Sequence, residues 1–323
     1  IFGHLRTSTN YNKDEKKIVG GKNGFGFKLV LIWSVYGEIE TVDHVRKLKY
    51  VQKFTNNLDN IEPPVITKCS SKPYTKVTFK PDYKRFGIEK LDENMKSLLK
   101  KRVYDISAIT PKNVKVKFNN ELVPIKTFEQ YIDLYVGNKS ETARSYENPN
   151  DRWEYCVSLS PTHEFQQVSF VNGINTSKGG KHVDYILNQI TKKMITHIEK
   201  KKKITVNANT IKEQLFLFIR CDIENPAFDS QTKDYMNTPI TKFGSSCVVS
   251  DKFIDKLAKM GVMDGACALT EVKENRVAKK SDGSKTRIIK GIPKLIDANW
   301  EEYFYINLPY FHIHGMYLQK QIF

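Results

Sequence analysis

The sequence predicts an α/β (α+β) protein of two domains divided near residue 150. Three observations carry that expectation. The chain has 323 residues, 40% of them hydrophobic, which is enough for a sizeable core and more than one domain. Its apolar residues alternate in some stretches and recur at helical spacing in others. Gly137 to Asp151 is polar, with Pro149 near its end and no strong core pattern, which makes it the expected linker.

In the first block, Gly20-Gly21-Lys22-Asn23-Gly24-Phe25-Gly26-Phe27-Lys28 leads into the apolar run Leu29 to Trp33, read as a short helix. Glycine lacks a Cβ, so such a loop turns tightly and aims successive N–H groups at one anion. The first N–H groups of a following helix point at the same place. Lys22 and Lys28 add positive charge, and a polyphosphate such as a nucleotide is the natural guest. A flexible surface turn is the other reading, since the motif is neither Walker A nor the dinucleotide fingerprint. Ile39 to Val42 and Lys76 to Phe79 read as strands, and Asn56 to Pro64 as loop. Leu91 to Tyr104 has apolar residues near a helical period. Asn113 to Phe118 alternates Val and Lys and is expected to be a half-buried strand, with Asn119-Asn120 as its turn. Phe128 to Tyr135 suggests a short helix.

In the second block, Trp153 to Leu159 and Gln166 to Val171 read as strands around Ser160-Pro161-Thr162. Val183, Ile186, Leu187, Ile190, Met194 and Ile198 form a helical stripe, and Lys200, Lys201, Lys202 and Lys203 end that helix. Lysines are favourable at a helix C-terminus, which accounts for the cluster without any ligand. Leu215 to Ile223 reads as a buried strand and Lys252 to Met260 as a helix. This order predicts a small sandwich with its helices on one face. The polar segment Asn225 to Lys233 follows the buried strand, a usual place for ligand contact. Lys233 could reach a phosphate as a point charge, with Gln231 holding a water or an oxygen; a solvated loop is the alternative.

The formal charge of +16 favours a polyanionic partner, nucleic acid being the commonest. Five widely spaced cysteines, with no C-x-x-C pair, read as reduced residues of an intracellular protein. No histidine pattern predicts a metal site, and His312-Ile313-His314 reads as chance. No apolar run is long enough to span a bilayer, so no membrane is expected. The first residue, Ile1, reads as a processed end or a cut through a larger protein.

Several segments then carry a resemblance. Ile1 to Tyr11, the glycine loop, Phe165 to Gly173, Lys178-Gly179-Gly180-Lys181-His182-Val183-Asp184-Tyr185, and Glu224 to Lys233 together resemble the ATPase region of eukaryotic-type DNA topoisomerase II. The resemblance covers residues 1 to about 300. It implies the C-terminal part of a GHKL ATPase sandwich over 1–149, a ribosomal-S5-like transducer domain over 150–275, and the start of the passage toward a TOPRIM domain over 276–300. It implies ATP and Mg²⁺ as cofactors, duplex DNA as partner, a homodimer and a nuclear location, with a viral factory or the cytoplasm if the source is a virus. Ser8, Thr9 and Asn10 would contact sugar and phosphates. Gly21, Lys22, Asn23, Gly24, Phe25 and Gly26 would wrap the triphosphate, with Lys28 at the helix start. Gln231 and Lys233 would touch the γ-phosphate as the catalytic contribution of the second domain. Lys200 to Lys203 resemble a DNA-sensing lysine loop.

Phe27, Phe25 and Leu31 stand where the family has alanine, tyrosine and asparagine. The family's general base, magnesium-holding asparagine and adenine-binding aspartate precede its motif at Ile1. The chain by itself is therefore expected not to turn over ATP. From Glu301 the resemblance stops, and 301–323 reads as a divergent tail, either a terminal strand pair or an out-of-frame segment. An ATP-clamp protein of the same superfamily that does not cut DNA, or a degenerate DNA-binding fragment, is the alternative function.

Overall fold

The computed structural model describes residues 2–4, 7, 8, 10–12, 14–21 and 23–281. The readings for Thr9, Lys22, His312-Ile313-His314 and the 301–323 tail lie outside the described residues, as does most of 276–300. The described residues form two compact units, one within Ile1–Lys96 and one within Ser97–Phe323.

The first unit opens with helix α1 (Gly26–Ile32), followed by strands β1 (Ser34–Asp43), β2 (Leu48–Thr55), β3 (Asn60–Ile61), β4 (Val65–Lys68) and β5 (Tyr74–Pro81). They form an antiparallel sheet in the order β3-β2-β1-β5, with β4 also pairing β2. Ile39 and Phe54 on one sheet face pack with Leu31 of α1, joined by Phe2, Phe27 and Leu58. Leu31 reaches the sheet because residue 37 is glycine: a Cβ there would stand 2.3 Å from Leu31 Cδ2. Phe27, the bulky departure at the loop, packs edge-on against Phe2 with ring centroids 5.1 Å apart. It fills this small core.

Helix α2 (Glu93–Ile109) leads into the second unit. There follow the hairpin β6 (Lys117–Phe118) and β7 (Glu121–Leu122), helix α3 (Phe128–Val136), and strands β8 (Arg144–Asn150), β9 (Trp153–Leu159), β10 (Gln166–Val171) and β11 (Ile174–Asn175). Helices α4 (Lys181–Lys202) and α5 (Ala208–Lys212), strand β12 (Leu215–Cys221), and helices α6 (Asp251–Leu257) and α7 (Met263–Ser281) complete it. The sheet order is β11-β10-β12-β9-β8, with β10 and β12 parallel and joined through α4.

The period-2 pattern of the central strands sorts the core. Tyr155, Val157, Leu217 and Ile219 face α4, α6 and α7, whereas Cys156, Phe216 and Phe218 face α2 and α3. Helices therefore cover both faces of this sheet, not the one face predicted. This is also why the structural division falls at residue 96 and not near 150: Ala108 of α2 and Phe128, Tyr131 and Ile132 of α3 belong to this core. A buried carboxylate joins the two helices, Asp105 accepting from Tyr131 Oη at 2.6 Å and Lys101 Nζ at 2.8 Å.

Two other expectations are corrected. The supposed linker holds edge strand β8. Its inward residues are polar: buried Arg144 reaches Asp133 at 2.6 Å and the Gly137 carbonyl at 2.9 Å through Nη2, while its Nε and Nη1 have no partner among the described residues. The Val/Lys alternation forms a strand only at Lys117–Phe118. The Asn119-Asn120 turn, with φ of 49° and 67°, closes a two-residue hairpin there, and Val114 has no strand to pair with. All five cysteines are free thiols, and four are buried. No helix among the described residues is long and apolar enough to cross a membrane.

Candidate functional site

Two polar segments, one in each unit, carry the predicted site residues. In the first unit the glycine loop folds onto the segment Thr7–Tyr11. Gly24 has φ +65°, and a Cβ there would stand 2.6 Å from the Thr7 carbonyl oxygen and 3.3 Å from Ser8 Cβ. Only glycine permits both this backbone and this approach. Asn10 Nδ2 donates to the Gly21 carbonyl at 2.8 Å, and Tyr11 Oη donates to the Asn23 carbonyl at 3.0 Å. The Asn10 N–H in turn donates to Ser8 Oγ at 3.1 Å. Ser8, Asn10, Gly21, Asn23, Gly24, Phe25 and Gly26 are thus brought together.

Lys28 lies in the first turn of α1, as the sequence reading has it, with its side chain turned inward. Only 2% of it is exposed, and its ammonium donates to the Thr7 carbonyl at 3.3 Å. It ties the helix to the neighbouring segment from inside. Gly26 faces open space where a Cβ would stand, and no side chain caps the N-terminus of α1. The loop therefore leaves room beside its backbone N–H groups.

In the second unit, Gln231 and Lys233 sit on a reversal of the chain. Asp229 N donates to Tyr235 O at 3.2 Å, Lys233 N to Ser230 O at 3.2 Å, and Asn237 N to Ala227 O at 3.0 Å. Lys233 adopts φ +61°. Gln231 is exposed and Lys233 half-buried. Burial lowers the lysine's pKa from its ordinary value, so a nearby anion would stabilise its charged form strongly.

The Lys178-Gly179-Gly180-Lys181 motif holds this reversal. Met236 N donates to Gly179 O at 3.1 Å, and Lys181 N donates to Met236 O at 2.9 Å. Gly180 has φ +144°, and a Cβ would lie 2.3 Å from the Met236 carbonyl oxygen. Lys178 N also donates to Asp234 O at 2.9 Å. These supporting residues were missed as site elements, although two glycines immediately before a strong helical stripe were the available signal. Tyr11 was likewise given no role, although it ends the Ile1–Tyr11 segment that carries the resemblance.

Lys200, Lys201 and Lys202 form the last turn of α4, and Lys203 caps it in the left-handed conformation, φ 59°. All four are exposed. Lys202 Nζ lies 3.7 Å from Asp264.

Comparisons with known proteins converge. The DNA gyrase B family model matches residues 127–283. DNA topoisomerase 2 of Arabidopsis thaliana is 47% identical over 307 residues, covering 92% of this chain and 21% of that protein. DNA topoisomerase 2 of Saccharomyces cerevisiae is 42% identical over 316 residues, covering 93% of this chain and 22% of that protein. The chain thus spans about a fifth of the length of these relatives. Among solved structures, the ATPase region of S. cerevisiae topoisomerase II superposes with a TM-score of 0.77 at 42% identity, covering 83% of this chain and 69% of that one. The ATPase and transducer domains of DNA topoisomerase II from Balamuthia mandrillaris give 0.79 at 37% identity, covering 85% and 70%.

Proposed function

The chain belongs to the eukaryotic-type family of type IIA DNA topoisomerases, with the α+β GHKL-like ATPase and transducer fold, and from that premise we propose that it is the ATP-binding, DNA-sensing part of an enzyme that passes one DNA duplex through another. The observation that supports it best is the cradle in the first unit. Gly24 packs on Thr7 and Ser8, and Asn10 holds Gly21, so the glycine loop and the segment around Ser8 and Asn10 lie together, the arrangement a loop that wraps a polyphosphate needs.

In this reading Ser8, Thr9 and Asn10 bind the sugar and phosphates. Gly21, Lys22, Asn23, Gly24, Phe25 and Gly26 wrap the triphosphate, and Lys28 positions the helix start. Gln231 and Lys233 meet the γ-phosphate and report its presence. A half-buried ammonium suits that task, because a phosphate beside it would favour its charged form. Lys200 to Lys203 meet duplex phosphates. The working protein is a homodimer in the nucleus. Mg²⁺ would neutralise phosphate charge when bound. Among the described residues no group of three or more His, Cys, Asp or Glu side chains could hold a metal ion.

ATP-dependent relaxation of supercoiled DNA by the full-length protein tests the proposal. Gly24→Ala is expected to weaken ATP binding by about fivefold or more, since strain of about 1–3 kcal/mol enters the loop. Lys233→Ala is expected to lower ATP turnover more than ATP affinity. A full-length protein with no ATP-dependent change in linking number overturns the reading. Wild-type ATP affinity in Gly24→Ala removes the cradle from it.

A further inference from the structure

The loop that carries Gln231 and Lys233 is not itself basic. From Asn225 to Asn237 it holds one lysine, Lys233, and two carboxylates, Asp229 and Asp234. Asp234 follows Lys233 directly, so its charge bears closely on that ammonium and on any phosphate brought to it. The fold gives this carboxylate a fixed place. Asp234 Oδ2 accepts from Thr232 Oγ1 at 3.0 Å, and Thr232 Oγ1 lies 2.8 Å from Ser230 Oγ. The side chains at 230, 232 and 234 are thus tied to one another, and Gln231 and Lys233 alternate with them.

Lys178 reaches the same carboxylate from the segment before α4. Its ammonium lies 3.6 Å from Asp234 Oδ2, and its backbone N–H donates to the Asp234 carbonyl at 2.9 Å. Lys178 is therefore registered on Asp234 through both backbone and side chain. The register continues at Met236, whose N–H donates to the Gly179 carbonyl at 3.1 Å. The Lys178 side chain is 68% exposed, and an ion pair in that setting contributes little to stability. Its consequence is local and electrostatic. The loop alone has a net negative formal charge, and Lys178 brings it to neutrality. Lys181 is no substitute, for its ammonium lies 3.8 Å from Asp184 in the first turn of α4.

We propose that Lys178 is a charge-compensating positioning residue for ATP turnover: it neutralises Asp234 and holds it against Thr232, so that the loop presents Gln231 and Lys233 to the terminal phosphate without an opposing carboxylate. The inference rests on the reading of Gln231 and Lys233 given above. Lys178 acts through Asp234 and need not touch the nucleotide. Its effect belongs to turnover more than to affinity, as that of Lys233 does, because catalysis of phosphoryl transfer depends on stabilising charge at the transferring group. A free carboxylate beside Lys233 would weaken that stabilisation.

The test is steady-state ATP hydrolysis by the full-length protein, with the thermal midpoint as the check that each variant is folded. Lys178→Met is expected to lower kcat about two- to fivefold at low salt, with a smaller change in KM, and the loss should shrink as salt rises. Adding Asp234→Asn to Lys178→Met removes the uncompensated charge and keeps an acceptor for Thr232, so it should restore most of kcat. In a Lys233→Ala background Lys178→Met should cost nothing further. Wild-type kcat in Lys178→Met, alongside a reduced kcat in Lys233→Ala, overturns the role of Lys178 and leaves that of Lys233 standing. A loss that Asp234→Asn does not restore, or one that persists undiminished in the Lys233→Ala background, also overturns it. Wild-type kcat in Lys233→Ala overturns the reading on which the inference rests.

Discussion

The two units hold their functional segments by different means. The sheet of the second unit is covered on both faces, with Trp153, Ile190 and Leu217 in one cluster and Phe128, Phe170 and Phe218 in the other. Its loop with Gln231 and Lys233 is clamped to a glycine pair at the start of a helix that is itself anchored by eight buried residues. The fully buried core of the first unit comprises Leu31, Ile39 and Phe54. Val77 and Phe79 of β5 are 46% and 48% exposed. Its glycine loop is held mainly by hydrogen bonds between short segments. Burial fixes the loop with Gln231 and Lys233, whereas local polar contacts shape the glycine loop, and segments of the latter kind open at lower free energy.

The largest expected effect tests that contrast directly. Ile190→Ala leaves a cavity in a fully buried layer and should cost about 2–5 kcal/mol, read as faster hydrogen exchange in β12. Val77→Ala should change the exchange of β1 and β5 by about 0.5 kcal/mol or less. A comparable loss from Val77→Ala would mean that this sheet face is covered in the full-length protein, and the contrast would belong to the chain alone.

The same contrast decides what was legible in the sequence. The stripe from Val183 to Ile198 announces α4 because one face is wholly buried. Leu215 to Cys221 announces a central strand because both faces are. By comparison, β8 reads as a linker because its inward residues are Arg144 and Ser145, and the partner that makes Arg144 tolerable, Asp133, is 11 residues away on α3. Leu48, Tyr50, Gln52 and Phe54 alternate along β2, but the intervening lysines and the single fully buried residue mask the pattern. Of the site, the glycines and Lys233 were legible as residue types. The inward turn of Lys28 was not, since no local pattern shows which carbonyl an ammonium will find. Nor did the sequence reveal that Gly180 is required by the backbone of Met236.

A pH experiment sharpens the comparison. His182, at the start of α4, is fully buried, with Nε2 3.3 Å from Thr176 Oγ1 and Nδ1 without a partner among the described residues. Burial pushes its pKa down to about 3. Between that value and about 6.5 the unfolded chain binds a proton that the folded chain refuses, so stability falls as pH falls through this window. From pH 6.5 to 5 the second unit should lose about 1.5 kcal/mol through this group. His182→Asn should flatten that part of the profile, whatever it costs at neutral pH. His4 and His44 in the first unit are exposed and supply no counterpart of this buried group. An identical slope in His182→Asn would show that the imidazole is hydrated, and the start of α4 would lose its standing as a dry anchor.

The smallest expected effect is at the cradle. Tyr11 is 46% exposed, and its hydroxyl holds the Asn23 carbonyl across 3.0 Å. Tyr11→Phe keeps the ring and deletes that bond. A hydrogen bond of this kind contributes about 0.5–1.5 kcal/mol, and exposure places this one near the lower end. The Asn10 and Lys28 contacts remain, so the loop should retain its path while sampling open forms more often. Apparent affinity falls in proportion to the binding-competent fraction, which gives an expected loss of about two- to fivefold in ATP binding by the full-length protein, with kcat nearly unchanged. A loss that appears in kcat at constant affinity would mean that Tyr11 acts after binding, and that the hydrogen bonds of the first unit serve a later step than forming the cradle.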